Sequence, residues 1–247
     1  MATLATEKTL ESDEFDAAAF SRDSLACASR LAAVFDHTLL KPEATREQVV
    51  KLCQEAAEHH FACAMVNPVW VPLAASMLAG TGVPVGTVVG FPLGASLTST
   101  KRAETQSLVA LGAKEIDMVM NVGQLKSGEN GRVLDDMLGV VEIAREAGAL
   151  VKVILETCLL TLQEKLRGAD LAMQAGVDFL KTSTGFSSGG ATPEDVALLR
   201  GVAGGRCGVK ASGGIRTLAQ TRAMLEAGAN RIGASASVAI VRELNTK

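Results

Sequence analysis

Short apolar runs alternate along this chain with longer stretches in which apolar residues recur at three- and four-residue intervals. The first pattern is that of buried strands and the second that of amphipathic helices. Eight runs predict strands near residues 31–40, 61–67, 83–91, 114–121, 150–157, 177–184, 207–212 and 230–235. Helical patterns lie between them, such as 46–59, which Thr45 can cap, and 133–146. Thr192-Pro193-Glu194-Asp195 has the cap, the first-turn proline and the acidic first turn of a helix start.

Four helical stretches end in Ala-Gly or Leu-Gly just before a strand: Leu111-Gly112, Ala147-Gly148, Ala175-Gly176 and Ala227-Gly228. Glycine there supplies the left-handed turn that leads out of a helix. Their spacing of about 28 to 36 residues matches one strand-helix unit each. Strands alternating with helices predict a parallel sheet, and eight such units predict closure into a single (β/α)8 barrel of the α/β class. The rival is an open doubly wound sheet, but no GxGxxG follows the first strand. Residues 1–30 read as an N-terminal extension carrying an extra helix, packed across one end of the barrel. Residues 31–247 read as the barrel and catalytic domain.

Composition narrows the picture. The 247 residues are 48% hydrophobic but only 3% aromatic, with no tyrosine, so the core is aliphatic. A net charge of -3 gives no electrostatic case for nucleic-acid or anionic-membrane partners. No apolar stretch is long enough to span a bilayer, and the acidic N-terminus lacks the form of a signal peptide. Cys27, Cys53, Cys63, Cys158 and Cys207 are odd in number and scattered, which reads as reduced thiols in a cytoplasmic protein.

Side chains two apart on a strand share a face. Asp117 with Val119 and Asn121, Lys152 with Ile154 and Glu156, Phe179 with Lys181 and Ser183, and Lys210 with Ser212 are each in phase. Asp36 and Thr38, and Met65 and Asn67, fit the same cavity. Charges in buried strands are costly, and two neighbouring lysines lower each other's pKa, leaving one partly a free amine near neutral pH. A free amine attacks carbonyls, so Lys181 and Lys210 point to Schiff-base chemistry. The competing view is a structural ion-pair network, the better account of Lys152 and Glu156. Glycines at Gly213-Gly214 and Gly233, followed by Ser235, fall after strands seven and eight, where barrels hold phosphate; Gly185 can add a donor after strand six. Arg216 suits either phosphate or a structural ion pair. His37 reads as a structural hydrogen-bond partner. No grouping has zinc-ligand spacing and no GxSxG is present, so neither a metal nor a serine nucleophile is expected.

Seven segments, DHTLLKP (36–42), VGFPLG (89–94), EIDMVMN (115–121), KVILET (152–157), KTSTGF (181–186), KASGGIR (210–216) and IGAS (232–235), together resemble the deoxyribose-phosphate aldolase family, in the family's order. The resemblance implies a class I aldolase on a TIM barrel, without cofactor. It would reversibly cleave 2-deoxy-D-ribose 5-phosphate to acetaldehyde and D-glyceraldehyde 3-phosphate, in deoxyribose phosphate breakdown. Lys181 matches the Schiff-base lysine, Lys210 the second lysine that keeps its pKa low, and Asp117 the proton-relaying aspartate. Gly185, Gly213, Gly214, Gly233 and Ser235 would bind the phosphate. Partners would be small phosphorylated sugars and aldehydes, with pairing as a homodimer. The chain departs from the family's pattern at Met65 (a cysteine in many relatives), at Ala236 (often serine), and in having no tyrosine for the tail that assists proton transfer in some relatives.

Overall fold

Every predicted strand forms. The computed structural model describes residues 14–245, so residues 1–13 of the expected extension lie outside the described residues. Two short helices, α1 (Ala17–Ser24) and α2 (Ala28–Ala32), come first. The strands are β1 (Phe35–Leu39), β2 (Cys63–Val66), β3 (Val85–Val89), β4 (Glu115–Val119), β5 (Leu150–Ile154), β6 (Phe179–Lys181), β7 (Gly208–Ser212) and β8 (Arg231–Ala234). Each hydrogen-bonds in parallel to the next, and β8 returns to β1, closing the barrel.

Helices α3 (Arg46–His59), α4 (Val71–Leu78) and α5 (Thr98–Ala110) follow β1 to β3. Two helices, α6 (Val122–Lys126) and α7 (Asn130–Glu146), follow β4. Then α8 (Leu162–Ala175), α9 (Pro193–Ala203), α10 (Leu218–Glu226) and α11 (Ser237–Asn245) complete the ring. The start signals act as expected. Thr45 and Gln48 form a reciprocal capping box, and Thr192 accepts from the Asp195 N–H at 3.1 Å.

The first strand begins at Phe35 rather than near residue 31. Leu31 and Ala32 belong instead to α2, which crosses residue 30, and both are buried where α2 packs on α11. The segment before the barrel therefore holds two helices among the described residues. Helix α1 lies along the outer helix α10, and the Phe15 ring stacks on the Arg200 guanidinium, 3.9 Å from it.

Alternation along the strands separates two interiors. Outward residues such as Phe35, Ile116, Met118, Val151, Val153, Leu180, Val209 and Ile232 form one aliphatic core beneath the helices. The inward set is different. Asp36, Glu115, Asp117, Lys152, Lys181, Lys210 and Arg231 all point into the barrel, beside a small apolar cluster of Cys63, Met65, Val88 and Leu40. The helical layer holds the fold together; the barrel's axis is given to charge.

Candidate active site

Strand register sets this charged interior. Asp117 pairs across the sheet with Lys152, and Lys181 with Lys210, whose other neighbour is Arg231. The Lys181 and Lys210 ammonium groups donate to the same oxygen, Asp117 Oδ2, at 2.7 Å each. Two such bonds to one atom hold the nitrogens within twice that distance of each other. The expected pair of lysines is real, and Asp117 sits between them.

The charges do not cancel. Lys152, Lys181, Lys210 and Arg231 face Asp36, Glu115 and Asp117, four cationic side chains against three carboxylates. Lys152 reaches all three carboxylates, at 2.5 to 3.2 Å. Lys210 reaches Asp36 and Asp117, and Arg231 reaches Asp36 and Glu115. Among the described residues, Lys181 has Asp117 alone. An excess charge in a low-dielectric interior is removed most easily from the least compensated group, and that is Lys181.

The pKa directions follow. Burial is the main force lowering Lys181, to about 8; Asp117 opposes it and Lys210 adds to it. Desolvation thus does more than the crowding by Lys210 that the sequence suggested. Lys152 is driven well above its ordinary value, since three carboxylates outweigh its burial, so it stays an ammonium. Against the same desolvation, Lys152, Lys181 and Lys210 hold Asp117 ionised, well below the usual carboxylate range. The expected structural role of Lys152 is what this geometry describes.

Glu156 departs from expectation. In phase with Lys152 on paper, it lies past the end of β5 with φ +58, a left-handed conformation rare for non-glycine residues. The strand has ended, so the two-residue alternation no longer applies. Its buried carboxylate instead accepts from the Thr184 hydroxyl and N–H, fixing the start of the loop after β6. Asn67 likewise turns to the β1 loop, donating to the Leu40 and Lys41 carbonyls.

Above the ion network opens a cavity of about 390 Å³. Lys181 and Lys210 form part of its lining, together with Gly185, Gly213, Gly214, Gly233 and Ser235, the residues expected to bind phosphate. Gly213 adopts φ +90, and a side chain there would press on the Gly190 backbone, so only glycine lets the loops after β6 and β7 meet. The Ala191 N–H ties them, reaching both the Ser212 and Gly213 carbonyls at 3.1 Å. On the other side, His37 stands between Glu55 and Ser237, at 3.0 and 2.9 Å, and the Ser237 hydroxyl donates to the Ala234 carbonyl. This fixes the N-terminus of α11 beside Ser235. Arg216 also borders the cavity. A larger recess, about 490 Å³, lies at the opposite end of the barrel near Phe15, Arg200 and Asp178, away from every lysine of the network.

Three buried charged residues are not evident from the sequence pattern. Glu115 and Arg231 join the network, each in phase with an inward residue, Asp117 and Gly233. The third is Lys101, fully buried between helices, whose ammonium reaches Asp136 and the Val119 carbonyl. Asp36, Cys63 and Glu115 place donor atoms within 4.8 Å of one another, but both carboxylates already bond Lys152 and Arg231.

A closed eight-stranded barrel and a buried amine lowered to about pKa 8 at a glycine-lined cavity define a Schiff-base type of barrel enzyme. Residues 30–242 match the DeoC/LacD family aldolase model, and the chain belongs to that family. It is 57% identical to a deoxyribose-phosphate aldolase of Bacillus mycoides (strain KBAB4), over 85% of this chain and 94% of the relative. It is 55% identical to one of Geobacillus sp. (strain WCH70), over 86% and 95%. The tetrameric deoxyribose phosphate aldolase of Aeropyrum pernix superposes with a TM-score of 0.86 at 36% identity, covering 94% of this chain and 97% of that one. No helix among the described residues is long and apolar enough to cross a membrane.

Proposed function

We propose that the chain is a class I aldolase that reversibly cleaves 2-deoxy-D-ribose 5-phosphate to acetaldehyde and D-glyceraldehyde 3-phosphate. One observation carries this reading: the least compensated amine of the barrel, Lys181, lines the cavity with Asp117 on its nitrogen and Lys210 on the same carboxylate oxygen.

The neutral Lys181 amine attacks C1 of the open-chain sugar and forms a carbinolamine. Loss of water, with a proton supplied through Asp117 and Lys210, gives an iminium ion. The C3 hydroxyl then gives up its proton, the C2–C3 bond breaks, and its electron pair flows into the iminium to leave an enamine. D-Glyceraldehyde 3-phosphate departs. Protonation of the enamine carbon and addition of water release acetaldehyde and regenerate the amine. The steps move protons around the same nitrogen, so a lysine near pKa 8 beside an ionised carboxylate and a second lysine suits the sequence of events. Gly185, Gly213, Gly214, Gly233 and Ser235 hold the phosphate with backbone N–H groups and the Ser235 hydroxyl.

The same reading places the protein in the cytoplasm, as a homodimer acting on small phosphorylated sugars and aldehydes, with residues 1–30 as an accessory segment to the barrel. The test is cleavage of 2-deoxyribose 5-phosphate with detection of triose phosphate, together with borohydride reduction in acetaldehyde. Turnover and a reduced adduct mapped to Lys181 are expected, and both should vanish in Lys181→Leu. An adduct-free, inactive wild-type protein would overturn the proposal.

A further inference from the structure

Ser212 ends β7 on the inward face, two residues beyond Lys210. Its backbone is fully engaged. The N–H donates to Thr182 Oγ1 at 3.1 Å, and the carbonyl accepts from the Thr182 hydroxyl at 3.2 Å and the Ala191 N–H at 3.1 Å. The hydroxyl is not. It has no hydrogen-bond partner among the described residues, although only 6% of the residue is exposed. Buried hydroxyls are almost always paired, so an unpaired one at a cavity wall calls for a ligand group. Gly233, the neighbouring residue on β8, keeps that space open, because a side chain there would collide with the Ser212 oxygen.

Position indicates which group. A residue two steps along a strand lies about 7 Å further toward its end. Ser212 therefore stands between the reacting amine and the Gly213-Gly214 loop, within the same cavity. On the reading above, on which this inference rests, C1 is fixed at Lys181, the C3 hydroxyl gives up its proton as the C2–C3 bond breaks, and the phosphate on C5 is held at the glycine loops. The one remaining hydroxyl of the substrate is on C4.

We propose that Ser212 is a specificity-determining residue that hydrogen-bonds the C4 hydroxyl of the sugar phosphate, which is the C2 hydroxyl of the aldehyde acceptor in the reverse direction. The Thr182 clamp holds the serine so that its hydroxyl is presented without a competing partner. Preorganised polar groups of this kind discriminate against a substrate lacking the matching hydroxyl.

The experiment compares wild type with Ser212→Ala in the addition of acetaldehyde to two acceptors, D-glyceraldehyde 3-phosphate and 3-oxopropyl phosphate, which lacks the hydroxyl. The variant should lose roughly tenfold in kcat/KM on the hydroxylated acceptor, the usual effect of one hydrogen bond. It should be unchanged on the other acceptor, so the preference between them falls by the same factor. Its melting temperature should hold or rise, since the substitution removes an unpartnered polar group. Ser212→Cys, close in shape, should repeat the selective loss. An equal loss on both acceptors, or no loss on either, overturns the inference and leaves the aldolase reading standing. A wild-type protein that adds acetaldehyde to neither acceptor overturns both.

Discussion

Replacing Lys210 with methionine tests the electrostatic argument at its centre. The substitution keeps most of the length of the side chain and removes one cation bound to the same carboxylate oxygen as Lys181. A unit charge about 5 Å away, at an effective dielectric of about 20, is worth about 3 kcal/mol, enough to move the Lys181 pKa from about 8 to about 10. The count of charges points the same way. Without Lys210, three carboxylates face three cations, and protonating Lys181 no longer leaves an excess. At pH 7.5 the free-amine fraction would fall from about a quarter to about one part in 300, so imine formation should slow roughly 75-fold.

The assay is the initial rate of cyanoborohydride-trapped acetaldehyde adduct at Lys181, followed by peptide mass from pH 6.5 to 10.5. Wild type should reach half its maximal rate near pH 8. The variant should reach it near pH 10, and at that pH its rate should come within a few-fold of wild type. Asp117→Asn removes a carboxylate that raises the Lys181 pKa, so its midpoint should move below 8. A Lys210→Met enzyme slowed equally at pH 7.5 and pH 10 would show that Lys210 acts only by delivering protons, and the charge argument would be wrong.

Lys181 should also leave a signature in stability. Its folded pKa is depressed, so the unfolded chain holds the extra proton between about pH 8 and the ordinary lysine value, and stability rises with pH across that window. Relative to Lys181→Met, wild type should gain about 2 kcal/mol between pH 7.5 and 9.5 in urea unfolding; a fall would refute the assignment. Asp136→Ala would strand the buried Lys101 ammonium and should cost about 3 to 5 kcal/mol, most of it recovered in the double variant Lys101→Met with Asp136→Leu. If the double variant is no more stable than the single, the pair is not an isolated charge couple. Gly233→Ala would drive a methyl group against the Ser212 oxygen and Lys210 Cε; such overpacking costs about 1 to 3 kcal/mol, and kcat/KM should fall at least tenfold. An unaltered kcat/KM would mean that this wall of the cavity lies outside the substrate's path.

Much of this site was legible because strands are periodic. With Lys181 and Lys210 carried on neighbouring strands of a barrel, an outward lysine would be buried under helices without a partner, so both belong inside. The same periodicity failed at Glu156, where the strand had stopped and a left-handed residue turned the side chain toward Thr184. It was silent on Lys101 and Asp136, which sit on separate helices 35 residues apart and meet only when the ring of helices closes. The serine hydroxyl at position 212 was visible as an in-phase residue, but that it lacked a partner is a property of the assembled cavity.

What the sequence left unread was the arithmetic of charge. Phase alone assigns Asp36, Glu115, Asp117, Lys152, Lys181, Lys210 and Arg231 to the inside, and counting them discloses one cation too many. It does not say which. That depends on how many carboxylates each nitrogen can reach, and reach is fixed by register: β5 runs beside β4, so Lys152 meets Asp117 and Glu115, while the β6–β7 pairing gives Lys181 only the shared oxygen of Asp117. A one-step slip of β6 would turn Lys181 into the helical layer and put Leu180 in the cavity. The reactive amine is therefore a consequence of strand pairing as much as of residue type, which is why a lysine three strands from its nearest competitor for charge would not behave as this one does.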